Sequence, residues 1–168
     1  MSVTDAIQVL NQPRATTTNG TNGFGTEAVG GVNLAGEAGL DLVVGMASEN
    51  KVFVYRDLNA SGFASRLEIQ GALRYGAALA RGDLNQDGLP DIVIGQNAPA
   101  SSVYVHYNKG ILGDEFDAVQ EDGFFRSKLE SATNLGTSVS VLDFNGDGKP
   151  DLAAGDSTSN PARVVIYY

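Results

Sequence analysis

One stretch of this 168-residue chain is written twice in register. The first writing is Tyr75-Gly76, six residues, then Asp83-Leu84-Asn85-Gln86-Asp87-Gly88-Leu89-Pro90-Asp91-Ile92-Val93-Ile94-Gly95. The second is Leu135-Gly136, six residues, then Asp143-Phe144-Asn145-Gly146-Asp147-Gly148-Lys149-Pro150-Asp151-Leu152-Ala153-Ala154-Gly155. A worn third copy lies upstream as Phe24-Gly25, seven residues (one more than in the full copies), then Asn33-Leu34-Ala35-Gly36-Glu37-Ala38-Gly39-Leu40-Asp41-Leu42-Val43-Val44-Gly45. The closing aspartates, Asp41, Asp91 and Asp151, are 50 and then 60 residues apart. A fold built on such a unit stacks copies of one supersecondary element.

The unit is made of strands. Each copy ends in an apolar run, and Lys51-Val52-Phe53-Val54-Tyr55, Ser102-Val103-Tyr104-Val105-His106-Tyr107 and Arg163-Val164-Val165-Ile166-Tyr167-Tyr168 follow, dense in β-branched and aromatic residues. A fourth strand follows in two copies, at Gly62–Glu68 and Gly123–Glu130. The period is close to the roughly 40–50 residues of a propeller blade and too long for leucine-rich or ankyrin repeats. The expected fold is all-β: a single repeat domain over 1–168 made of three four-stranded antiparallel propeller blades. Blade 1 spans 24–73 with a degenerate loop, blade 2 spans 74–133, and blade 3 spans 134–168 without its last strand. Residues 1–23 supply a strand at about 5–10 and a flexible linker, and the strand is expected to complete the last blade of a neighbouring chain. Propellers close with about 4–8 blades. Three blades therefore predict a homo-oligomer, most simply a dimer making a six-bladed ring, or the remainder of a larger propeller.

The turn between the first two strands of each copy carries the chemistry. In Asp83-x-Asn85-x-Asp87-Gly88, side-chain oxygens recur at alternate positions of a tight loop, and Gly88 permits the sharp turn. Such a loop wraps a hard cation, and calcium takes about 6–8 oxygens. The expected ligands are Asp83, Asn85, Asp87, the Leu89 carbonyl and Asp91, and in the next copy Asp143, Asn145, Asp147, the Lys149 carbonyl and Asp151. An EF-hand is excluded, because the loop lacks a glutamate at its twelfth position and strands flank it. In the first copy Asn33, Ala35 and Glu37 replace the acidic pattern, so Asn33, Glu37 and Asp41 form a weak or lost site. Two calcium ions per chain follow, with the first loop as a weak third.

These combined residues, an aromatic or aliphatic residue before glycine, the D-x-N-x-D-G-x-x-D loop and an Ile-Val-Ile-Gly or Leu-Ala-Ala-Gly strand, resemble the FG-GAP/VCBS repeats of integrin α-subunits. The resemblance covers about residues 24–168. It implies a propeller whose calcium loops clamp the hairpin between the first two strands of a blade, with structural rather than catalytic metal.

Composition removes other classes. The net charge of −9 with no Lys/Arg run lacks the footprint of a nucleic-acid binder. With no cysteine there is no disulfide framework or thiolate site. No run approaches the roughly 18 apolar residues of a membrane span, and the N-terminus lacks the basic and apolar regions of a signal peptide. His106 sits in an alternating strand and is read as a sheet residue rather than a catalyst. The expected function is a non-enzymatic, calcium-stabilised binding, adhesion or structural module, recognising protein or glycan, secreted or at the cell surface. The alternatives are a polysaccharide lyase or hydrolase and a calcium-dependent lectin, in which Tyr55, Tyr75, Tyr104 and Tyr107 would stack on sugars. The connector Asn108–Asp117 is the candidate for a specific surface loop.

Overall fold

The structure, a computed structural model, describes residues 23–34, 39–59, 62–97, 102–110, 126–128, 135–157 and 161–168. The expected strand over 5–10, the linker up to residue 22, Glu37, and the connector beyond Gly110 up to Asp117 lie outside the described residues. Among the described residues, eleven strands form three antiparallel sheets. The first contains β1 (Phe24–Val32), β2 (Leu40–Met46), β3 (Lys51–Asn59) and β4 (Gly62–Gln70). The second contains β5 (Tyr75–Gly82), β6 (Asp91–Gln96), β7 (Ser102–His106) and β8 (Arg126–Lys128). The third contains β9 (Ser138–Leu142), β10 (Asp151–Asp156) and β11 (Arg163–Tyr167). Strand order follows chain order in all three, and the helix among the described residues is a single 3₁₀ turn, Ala47–Glu49. This all-β arrangement of three meanders agrees with the expected class and is consistent with propeller blades.

Residue pattern explains which face each strand buries. β6 reads Asp-Ile-Val-Ile-Gly-Gln and is buried at every position, because its sheet lies between the other two and needs apolar side chains on both faces. Ile92, Ile94 and Tyr104 face the first sheet, where they join Val32, Leu34, Val43, Val52, Val54 and Ile69 in one core. Val93, Val103 and Val105 face the third sheet and meet Leu135, Leu152 and Ala154 in a second core. The third sheet has one covered face, so β9 alternates Ser138, Ser140 and Leu142 outward against Val139 and Val141 inward. A third cluster, Val44, Met46, Phe53 and Tyr55 with Phe24, Leu42 and Phe63, occupies the face of the first sheet turned away from the second. Arg66 covers it in part, its guanidinium carbon 5.2 Å from the Phe53 ring centre.

Glycines set the spacing between sheets. A Cβ on Gly45 would overlap the carbonyl oxygen of Gly76, and one on Gly95 would overlap that of Gly136. Gly76 and Gly136 adopt φ of +86° and +109°, which L residues avoid. The two halves of the repeated motif, the glycine after the aromatic or aliphatic residue and the glycine closing the apolar strand, therefore touch each other across consecutive sheets. Gly95→Ala is expected to lower the unfolding free energy by about 1–3 kcal/mol through overpacking against backbone, read from the urea midpoint. An unchanged midpoint would show that the sheets can separate freely.

Candidate metal loops

The loop 83–90 joins β5 to β6, and the loop 143–150 joins β9 to β10. Both fold on the same hydrogen bonds. Asp83 Oδ1 accepts from the Asp87 N–H at 2.9 Å and Asp83 Oδ2 from the Gly88 N–H at 2.8 Å. Asp143 accepts the Asp147 and Gly148 N–H groups at 3.1 and 2.8 Å. Asn85 Oδ1 and Asn145 Oδ1 accept from the Asp87 and Asp147 N–H groups. Asp87 Oδ1 and Asp147 Oδ1 accept from Leu89 and Lys149. The short polar side chains thus replace the missing backbone ladder of the turn. Glycines 88 and 148 take φ of +89° and +86° at the bend.

The fourth loop position also needs a left-handed residue. Gln86 has φ +59° where the other loop has Gly146 at +79°. Sequence comparison of the two copies contains this signal, Gln against Gly, although the acidic pattern beside it draws the attention first.

The closing aspartate plays a role that its position in a ligand pattern conceals. Asp91 is fully buried; its Oδ2 accepts from the Leu84 N–H at 2.8 Å and its Oδ1 from the Asn108 N–H at 2.9 Å. Asp41 does the same with Leu34 (2.8 Å) and Asp57 (2.9 Å). Asp151 Oδ2 accepts from Phe144 at 2.9 Å and Asn145 at 3.3 Å. Each of these carboxylates ties the start of its loop to the first residue of the second strand or its neighbour, and in the first two sheets also to the end of the third strand. Burial pushes the Asp91 carboxyl above its ordinary value; backbone N–H groups of Asn108, Leu84 and Asn85 pull it down, and the Asp87 charge raises it further. A carboxylate oxygen has two lone pairs, so a donated N–H does not consume it as a ligand.

Asn108, the first residue of the connector singled out from the sequence as a candidate surface loop, is buried and central. Its Nδ2 donates to the carbonyls of Asn33 (2.9 Å) and Pro90 (3.2 Å), and its Oδ1 accepts from Gly110 at 2.8 Å. It thereby joins the worn loop of the first sheet to the acidic loop of the second.

The donors in the two acidic loops are all oxygens, which suits a hard cation and not zinc. Among the described residues no three Asp, Glu, His or Cys side chains are gathered into one cluster; the set here mixes two exposed or half-buried aspartates with an asparagine. Of the first loop, Asn33 and Asp41 are among the described residues, and Asp41 accepts the same two kinds of backbone N–H group as Asp91.

The tyrosines do not form a sugar-stacking surface. Tyr55, Tyr75 and Tyr104 are buried, and Tyr107 packs against the second core. Tyr75 Oη lies 2.6 Å from His106 Nε2, and Tyr104 donates to Gln96 Oε1 at 2.7 Å. His106 is a buried strand residue engaged with Tyr75.

Asp41→Ala leaves the Leu34 and Asp57 N–H groups without their acceptor, and at about 1–3 kcal/mol for each group left unsatisfied it is expected to be strongly destabilising in urea unfolding, equally with calcium and with chelator. A calcium-dependent loss would reassign Asp41 to metal binding. Gln86→Gly relieves a left-handed L residue and is expected to stabilise by up to about 1 kcal/mol; a loss of stability in the same measurement would mean that the glutamine side chain makes a contact worth more than the strain.

Comparison with known proteins agrees with this architecture. Residues 83–154 match the family model of the FG-GAP-like repeat. Over 112 residues the chain is 38% identical to the phosphatidylinositol-glycan-specific phospholipase D of Bos taurus, covering 56% of this chain and 13% of that protein. Over 160 residues it is 29% identical to integrin alpha-7 of Homo sapiens, covering 87% of this chain and 13% of the integrin. Integrin alpha-PS5 of Drosophila melanogaster is 33% identical over 101 residues, 55% of this chain and 10% of that protein. The chain thus spans only a small part of the length of these relatives, and the phospholipase's activity does not transfer with so partial a match. Residues 83–154 thus carry an FG-GAP-like repeat, and the same motif is written again around them.

Proposed function

We propose that this chain is a calcium-stabilised, non-enzymatic module for binding or adhesion, recognising protein or glycan through the loops and connectors at the ends of its sheets. The observation that carries the reading is the pair of loops at 83–91 and 143–151, which share one hydrogen-bond scheme and one oxygen-only donor set. The likeness to integrin alpha chains supports the adhesion half of the reading.

Calcium would be held by Asp83, Asn85, Asp87, the Leu89 carbonyl and Asp91, and by Asp143, Asn145, Asp147, the Lys149 carbonyl and Asp151. Its charge would offset the repulsion between Asp87 and Asp91, and it would fix the loop tips against the buried aspartate already anchored at their base. The worn first loop would stay without metal, its Asp41 and the Asn108 bridge maintaining the turn. Millimolar calcium keeps moderate sites of this type filled, which favours a secreted or cell-surface location. Among the described residues no helix is long and apolar enough to cross a membrane.

Calorimetric titration of the chelator-stripped protein is expected to give two calcium ions per chain, and Asp83→Ala combined with Asp87→Ala to give one. At a hundredfold excess over Kd each ion should add about 2.7 kcal/mol to the unfolding free energy. Binding to arrays of extracellular proteins and glycans should then appear in calcium and vanish in chelator. No heat of calcium binding, or turnover of an acidic polysaccharide by the protein, would overturn the reading.

A further inference from the structure

Each contact between consecutive sheets has two halves. The face of the first sheet turned to the second supplies Gly45 and Gly31, and the second sheet supplies Gly76 and Arg81, whose Nη1 donates to the Gly31 carbonyl. The far face of the second sheet supplies Gly95 and Gly82, and the third supplies Gly136 and Val141, which fills the space where a Cβ on Gly82 would stand.

Among the described residues, both outer faces carry one half with nothing opposite. On the third sheet Gly155 holds the place of Gly45 and Gly95 and borders an open depression of ≈ 410 Å³ that also involves Ser138 and Val164. Leu142 and Val164 on this face are 61% and 66% exposed, and Ile166 is exposed beside them. On the first sheet Gly25 holds the place of Gly76 and Gly136 and has the same left-handed backbone, φ +77°. Gly76 and Gly136 are buried against the preceding sheet, whereas Gly25 is exposed and has no neighbouring atom within 4 Å of a Cβ position.

The side-chain sizes at these faces are reversed relative to the internal contacts, and the reversal is matched. Strand pairing puts Arg81 opposite Ile92 and Val141 opposite Leu152; the same place in the first sheet, opposite Leu42, is Gly30. Gly82 pairs with Asp91, and the same place in the third sheet, opposite Asp151, is Leu142. Inside the chain a large residue of the later sheet meets a glycine of the earlier one. At the two ends the large residue, Leu142, belongs to the earlier face and the glycine, Gly30, to the later.

We propose that the outer face of the third sheet docks on the outer face of the first sheet of a second copy, Gly155 against Gly25 and Leu142 over Gly30. The contact joins unlike faces, and two such contacts related by a twofold axis close a ring of six sheets, within the range in which propellers close. Closure would cover the exposed apolar residues Leu142, Val164 and Ile166. The proposal does not depend on metal and goes beyond the binding role argued above.

Light scattering on the purified chain in calcium buffer is expected to give twice its 17.5 kDa mass. Leu142→Asp and Gly30→Leu should each yield monomers with unchanged β-sheet circular dichroism, since Leu142 is exposed and a Cβ on Gly30 makes only ordinary contact with Leu42. Leu73→Asp, on an exposed residue of the connection between the first and second sheets, should leave the mass unchanged. Mixing the two monomeric variants should restore a dimer, because one intact face of each kind remains between them. Val164→Lys replaces Leu142→Asp if the latter loses its circular dichroism. A monomeric parent, a dimer that survives Gly30→Leu, or a mixture that stays monomeric would each overturn the proposal.

Discussion

A buried carboxylate at the head of the second strand organises each repeat. Asp41, Asp91 and Asp151 open or nearly open β2, β6 and β10, and each draws in the N–H groups at the start of its loop. Asp41 and Asp91 also hold the backbone that leaves the third strand. Three chain segments that the sheet ladder alone would leave loosely related are thereby fixed at the same end of the sheet. An ionised group in such a place is stable only because its oxygens are hydrogen bonded, so loop and carboxylate depend on each other. The tips of the acidic loops, with Asp83, Asp87, Asp143 and Asp147, stand on this base.

A second constraint acts between sheets. Gly45 against Gly76 and Gly95 against Gly136 bring backbone onto backbone, which lets the valines, isoleucines and tyrosines of the facing strands pack into shared cores. The middle sheet pays the compositional consequence, with apolar side chains on both faces of β6 and β7. The repeat motif that reads in sequence as two separate glycine signals is, in three dimensions, one contact shared by consecutive sheets.

Much of this was legible in the residues. The register of the two full copies, the alternating strands and the turn between first and second strands all follow from periodicity and from the placement of Asp, Asn and Gly. Other features were not. The spacing of Asp91 marks it as an oxygen donor at a loop, but which N–H groups its oxygens accept depends on Asn108, seventeen residues away and written in a stretch that looks like a connector. Tyr75 and Tyr104 carry polar tips that suit a sugar site; the structure satisfies those tips internally through His106 and Gln96. The partner of each interface glycine lies in the next repeat, so pattern alone shows that it recurs and not what it touches. Gln86 hides its left-handed backbone because only comparison with Gly146 exposes the requirement.

The central claim is that the buried aspartates build the loops and that calcium acts on the tips above them. Hydrogen exchange at single amides, followed in calcium and in chelator, tests it most directly. The account predicts that the N–H groups of Leu34, Asp57, Leu84, Asn108 and Phe144 exchange slowly in both conditions, while those of Gly88, Leu89, Gly148 and Lys149 gain protection only with calcium. Fast exchange of the first group in chelator would contradict it, and would make the metal rather than the carboxylate the organiser of the repeat.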